Sequence, residues 1–107
     1  MDNIAITDLT RDGWNIVSVT GRVDGITADQ LEVALKNAVA ANVQVAVDCS
    51  GIDYISSAGL RSLLEGARAA QLASKTFIVC SPSARAKQVF DISRMHLVLP
   101  MQEALPC

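Results

Sequence analysis

Aromatic side chains are scarce: Trp, Tyr and Phe together make up 4% of the 107 residues. Any core must therefore be built from Val, Ile, Leu and Ala. A cationic surplus is also missing, with 9 Lys and Arg against 11 Asp and Glu and a net charge of −2. That excludes a general nucleic-acid binder, whose phosphate contacts need excess Lys and Arg. No apolar run approaches the ~18 residues of a membrane span, so no membrane insertion is expected. Met1-Asp2-Asn3 offers no basic signal-peptide start, and a cytoplasmic location is expected. The three cysteines (Cys49, Cys80 and Cys107) are far apart, and His96 is the one histidine. Such a set predicts reduced thiols, with no metal site and no cofactor. Walker A, GxGxxG, HExxH and GxSxG patterns are absent, and no acid–base pair is evident, so an enzyme is not expected. His96 lies in an apolar stretch and is expected to be structural.

What is present is half apolar residues and 19% charged ones, which excludes disorder as the main state. One domain spanning 1–107 is expected. Ile4 to Thr10 and Trp14 to Thr20 alternate around the turn signal Arg11-Asp12-Gly13, predicting an antiparallel hairpin. Gly21 to Gly25 reads as a break. Thr27 with Gln30 fits a capping box, and Ile26 with Leu31 a hydrophobic staple. Leu31, Ala34, Leu35, Ala38 and Val39 then recur at helical spacing, with Asn42 as the stop.

Val43 to Val47 reads as a buried parallel strand. It runs into a polar loop from Asp48, and a second helix follows, starting at Ser57 and ending near Leu72, with Leu60, Leu63, Leu64 and Ala67 as its stripe. Lys75 to Cys80 is another buried-type strand. Ser81-Pro82 signals a third helix carrying Ala86, Val89, Phe90 and Ile92. Leu97 to Pro100 reads as a marginal strand and Gln102 to Leu105 as a last helical turn. The order β-β-α-β-α-β-α predicts an α/β fold. Its small mixed sheet would combine an antiparallel N-terminal hairpin with parallel βαβ crossovers, covered by helices.

A serine at the mouth of the second helix has two uses. Its hydroxyl can cap the helix. It also sits where backbone amides and the helix dipole favour an anion, so a phosphate on Ser57 would be tolerated. Asp24 and Asp48 both read as strand-end residues. Either they satisfy turn amides or they orient the serine and meet a partner. Arg61 and Arg68, seven apart, share a face with Ser62 and Glu65 nearby. That face is a solvated surface or a docking strip. Leu60 reads as core.

The run from Asp48 to Arg61, centred on Ile55-Ser56-Ser57-Ala58-Gly59-Leu60, resembles the signature of STAS domains. In particular it is similar to stand-alone bacterial anti-sigma factor antagonists. Gly21-Arg22-Val23-Asp24 before the first helix resembles the family pattern too. So do Val89-Phe90-Asp91-Ile92, Leu97 to Pro100 and Glu103-Ala104-Leu105, and the likeness spans nearly the whole chain. It implies a STAS-like fold and a cytoplasmic signalling protein that regulates transcription by partner switching. The implied partners are an anti-sigma factor that is also a serine kinase, and a cognate phosphatase. Ser57, two residues before Gly59, matches the family's phosphorylated serine, and Ser56 is the rival. Many members carry aspartate where Ser56 stands. Asp24, Asp48, Ser56, Ser57, Gly59 and Arg61 are the implied partner-binding set. Small STAS proteins also resemble accessory subunits of lipid-transport ABC complexes that dock on the ATPase, which is the alternative role.

Overall fold

The computed structural model describes residues 4–105. A hairpin opens the chain: β1 (Ile4–Arg11) pairs antiparallel with β2 (Trp14–Val23). Its tight turn places Asp12 and Gly13 at positive φ, as the Asp-Gly signal requires. Helix α1 (Ala28–Ala41), strand β3 (Gln44–Ile55), helix α2 (Ser57–Leu72) and strand β4 (Thr76–Cys80) follow. Helix α3 (Ala84–Ile92), a short 3-10 turn at Met95–Leu97 and strand β5 (Met101–Gln102) complete the order. The sheet runs β1-β2-β3-β4-β5, with every pairing after the hairpin parallel. The expected mixed sheet with helical crossovers is what the chain forms.

Strand alternation sorts the core. Val17, Val19, Val45, Val47, Cys49 and Val79 join Leu31 and Leu35 of α1, Leu60 and Leu63 of α2, and Ala86 and Phe90 of α3 in one cluster. The intervening residues Ile16, Ala46, Ile78 and Cys80 form a smaller cluster with half-buried Trp14 and Leu105. Two buried faces explain why β3 and β4 read as unbroken apolar runs. Asn42 ends α1 as expected, its side-chain amide donating to the Ala38 carbonyl at 2.9 Å. The end of α1 is also held from outside, because the Lys75 ammonium donates to the carbonyls of Val39 and Ala40. A cation there meets orphan carbonyls and the negative end of the helix dipole together.

Several local expectations are corrected. Gly21 does not break β2. The strand continues to Val23 through register shifts, with Gly21 at φ 98°, a bulge that a non-glycine side chain would strain. β3 likewise continues past Val47 to Ile55, because its polar residues pair with the extended part of β2. Val43 lies outside the strand and is exposed. The Thr27–Gln30 capping box does not form. Thr27 has helical φ and ψ, and its hydroxyl donates instead to the Arg22 carbonyl at 2.8 Å. Ile26 is 80% exposed, so no staple closes on Leu31. The third helix is capped by Ser83, whose hydroxyl accepts from the Ala86 amide, not by Ser81, which takes a left-handed φ. Ile92 is exposed rather than part of the α3 stripe. The last strand falls at Met101–Gln102 instead of Leu97 to Pro100, and residues 103–104 form bends with no helical turn through 105. Cys49 and Cys80 are buried, while Cys107 and the Met1-Asp2-Asn3 start lie outside the described residues.

Candidate functional site

The site is set by a strand pair. Val23 of β2 faces Ile55 of β3 in parallel register, so the turns that leave these two strands are neighbours. One turn leads into α1 through Asp24, and the other into α2 through Ser56. The Ser56 amide donates to the Val23 carbonyl at 2.9 Å and ties them together.

The two serines separate cleanly. Ser56 is the N-cap of α2, extended at φ −94° and ψ 177°, and its hydroxyl accepts from the Gly59 amide at 3.4 Å. Ser57 is the first helical residue and is exposed. Capping by Ser57, one of the two readings of the sequence, is therefore corrected: the N-cap has extended dihedrals and aims its oxygen inward, and that residue is Ser56. The Ser57 hydroxyl faces solvent at the helix end where partial positive charge gathers.

Asp24 is a turn organiser. Its carboxylate accepts from the Ile26 amide at 2.9 Å and the Thr27 amide at 3.2 Å, and pairs with the Arg22 guanidinium at 3.1 Å. The Ile26 bond holds the carboxyl below its ordinary pKa, opposed by partial desolvation and helped by Thr27 and Arg22. Arg22 also lies over the Tyr54 ring, 4.0 Å from its centroid, a cation–π contact across the β2–β3 pair. That contact escaped the sequence reading. The register Arg22↔Tyr54 creates it, and register is not written in either segment alone.

Gly59 is buried, and a Cβ there would come within 2.7 Å of both Val23 Cγ1 and Ile55 Cγ1. Its place in the motif follows from close packing of α2 on the two strand ends, and it presents no surface to a partner. Asp48 is not at a strand end either. It sits midway along β3, beside Ser18 and Cys80, and accepts from the Ser50 amide at 3.0 Å. It lies seven residues before Ile55 along the strand, roughly 20 Å at ~3.3 Å each, so Asp48 does not join the serines.

Arg61 is exposed, one helical turn after Ser57. It lines a groove of about 310 Å³ between the first halves of α1 and α2, together with Ala58, Asp29, Glu32 and Glu65. Ser62, expected on the solvated face, is instead 2% exposed. Its hydroxyl lies 2.8 Å from the Ala28 carbonyl and 3.2 Å from that of Ala58, fastening the two helices. Arg68 lies on the far half of α2, 3.8 Å from Glu65. His96 approaches the Phe90 carbonyl at 3.2 Å and Asp91 at 3.7 Å, away from this groove. Among the described residues, no three His, Cys, Asp or Glu side chains gather as a metal site. No helix of the described residues is long and apolar enough to cross a membrane.

Comparison with known proteins bears on this geometry. The family described as "Mlab, STAS domain" matches residues 9–100. A Bordetella bronchiseptica protein, BtrV, named as a candidate anti-sigma factor antagonist, is 33% identical over 91 residues. The match covers 84% of this chain and 78% of that one. The crystal structure of an anti-sigma factor antagonist from Mycobacterium paratuberculosis superposes with a TM-score of 0.83 at 25% identity, covering 97% of this chain and 89% of that one. The phosphorylated form of the Bacillus cell fate determinant SpoIIAA shares the fold, with a TM-score of 0.71 at 17% identity over 95% of this chain and 93% of its own.

Proposed function

Because this chain belongs to the STAS domain family, we propose that it is an anti-sigma factor antagonist switched by phosphorylation of Ser57. It acts as a binding protein and not as an enzyme. The observation that carries this reading is the division of labour between adjacent serines. Ser56 is committed to capping α2, and Ser57 is exposed at the first helical residue. An incoming kinase can reach the second hydroxyl without unmaking the helix start. The names of BtrV and of the M. paratuberculosis structure support the partner class, an anti-sigma factor. The phosphorylated SpoIIAA structure supports a fold that tolerates phosphate. A serine kinase that is itself the anti-sigma factor, a cognate phosphatase and a cytoplasmic setting complete the proposal.

The mechanism is charge-gated docking. In the unmodified state the Ser57 surface carries a neutral hydroxyl that a partner can cover. On phosphorylation the hydroxyl oxygen attacks the γ-phosphorus of ATP, its proton passes to a base of the kinase, and ADP leaves. The new group adds about −1.5 to −2 charges beside a groove that already holds Asp29, Glu32 and Glu65. Burying that charge against a partner costs several kcal/mol. A penalty of about 4 kcal/mol weakens binding roughly a thousandfold at ~1.4 kcal/mol per decade.

The test is titration of the anti-sigma factor against the unmodified protein, Ser57→Ala, Ser57→Asp and the phosphorylated protein. Unmodified protein and Ser57→Ala should bind alike, the phosphoprotein about a thousandfold more weakly, and Ser57→Asp in between. Equal affinity of phosphorylated and unmodified protein would rule out the switch. Capture of a transporter ATPase in place of a kinase would favour the accessory-subunit role.

A further inference from the structure

We propose that Arg61 is the built-in counter-ion for a phosphate on Ser57, so that modification also withdraws the guanidinium from the groove between α1 and α2. This rests on the phosphorylation reading above and adds a positioning residue to it.

Three observations lead there. Ser57 and Arg61 are four residues apart on one helix, both exposed, which makes them surface neighbours with Cβ atoms ~5–6 Å apart. Helical Cα–Cβ bonds tilt toward the N-terminus, so a long side chain at the later position leans back over the earlier one. The second observation is that Arg61 is uncommitted. Glu32 is engaged by Lys36 at 3.0 Å, Glu65 lies 3.8 Å from Arg68, and Asp24 holds Arg22 at 3.1 Å. No ion pair to Arg61 forms among the described residues. The third is the groove itself, where Arg61 is the single cation among the described residues that line it, beside Asp29, Glu32 and Glu65.

Guanidinium presents a planar fork of donors that matches two phosphate oxygens. A phosphate on Ser57 therefore draws Arg61 toward the helix start, and the groove is left with its carboxylates alone. One modification alters the charge of two adjacent surfaces, the helix mouth and the groove. A partner that reads the groove loses its match even where it does not touch Ser57.

The experiment installs phosphoserine at position 57 during translation, so that it does not depend on any kinase. The phosphate is titrated by 31P NMR in the otherwise unaltered chain, in Arg61→Gln and in Arg61→Lys. An ion pair favours the dianion. The second ionisation, ordinarily near 6, is expected about 0.5 unit lower in the chain that keeps Arg61 than in the Arg61→Gln variant. Arg61→Lys should restore part of the shift, and 1 M salt should erase most of it. Superposable titrations of the Arg61 and Arg61→Gln phosphoproteins overturn the proposal. Arg61 is exposed, and matched thermal melts of the unphosphorylated variants check that the fold is retained. If the titrations differ but no kinase modifies Ser57, the counter-ion stands and the signalling role falls.

Discussion

Removing the Ser56 hydroxyl is expected to cost about 0.5–1 kcal/mol, the low end for a lost cap, because its bond to Gly59 is long at 3.4 Å. Urea denaturation of Ser56→Ala should show that loss, with phosphate acceptance at Ser57 retained. A larger effect on acceptance than on stability would reverse the assigned roles of the two serines. At Asp24 the expectation is a pH dependence. Its folded pKa lies below 3.8, chiefly through the Ile26 amide. The stabilisation is therefore fully present above the unfolded value and is lost as pH falls through the folded one. Asp24→Asn should be less stable than the unaltered chain at about pH 6, and the gap should narrow toward about pH 2. Denaturation midpoints across that range measure it, and a gap independent of pH would refute the assignment. These residues show how far the sequence could be read. The identities of Ser57, Asp24 and Arg61 were visible in the motif. Which serine caps the helix was not, because two adjacent hydroxyls differ only in backbone dihedrals.

The start of α2 is fixed by how closely it meets β2 and β3. A methyl group at position 59 would press on Val23 and Ile55 at 2.7 Å. Overpacking costs about 1–3 kcal/mol, against at most ~1 kcal/mol gained by replacing glycine in a helix. Gly59→Ala is expected to lose about 1–2 kcal/mol of stability and to tilt the first turn that carries Ser57. Chemical denaturation tests the first part, and a stabilised variant would refute it. Periodicity located all three helices, since Leu31, Leu35, Leu63 and Phe90 recur as buried stripes. It failed on the length of β2 and β3. Their later parts, Gly21 to Val23 and Asp48 to Ile55, carry turn-like residues. They stay extended because each strand supplies the other's hydrogen bonds across bulges. The capping box at Thr27 failed for a related reason: Asp24 took the turn amides, and Thr27 was drawn to the Arg22 carbonyl.

Across the whole molecule, two parallel crossovers put α1 and α2 over the same core cluster and bring their first turns side by side. Right-handed crossovers make this arrangement the default for the order observed. The interior that results encloses Cys49 and Cys80, and burial pushes the Cys49 thiol well above its ordinary pKa. A buried, protonated thiol is a poor nucleophile. In the native protein at most one of the three cysteines should react quickly with a thiol reagent, and all three after unfolding. Two or more fast thiols in the native state would contradict this packing.

Hydrophobic spacing and turn chemistry by themselves determined that the chain is a mixed α/β sheet protein. Local pattern suffices for that, because periods of two and of about 3.6 are properties of the backbone. It was the resemblance to the STAS signature, not spacing, that marked the stretch before the second helix as the candidate site. Only the tertiary structure decided that Asp24 stands next to Ser56 and Asp48 does not, that Ser62 is buried while Arg61 is exposed, and that Gly59 is a packing residue. Each of these depends on which strand ends lie side by side, and that is set by pairing between segments distant in the chain.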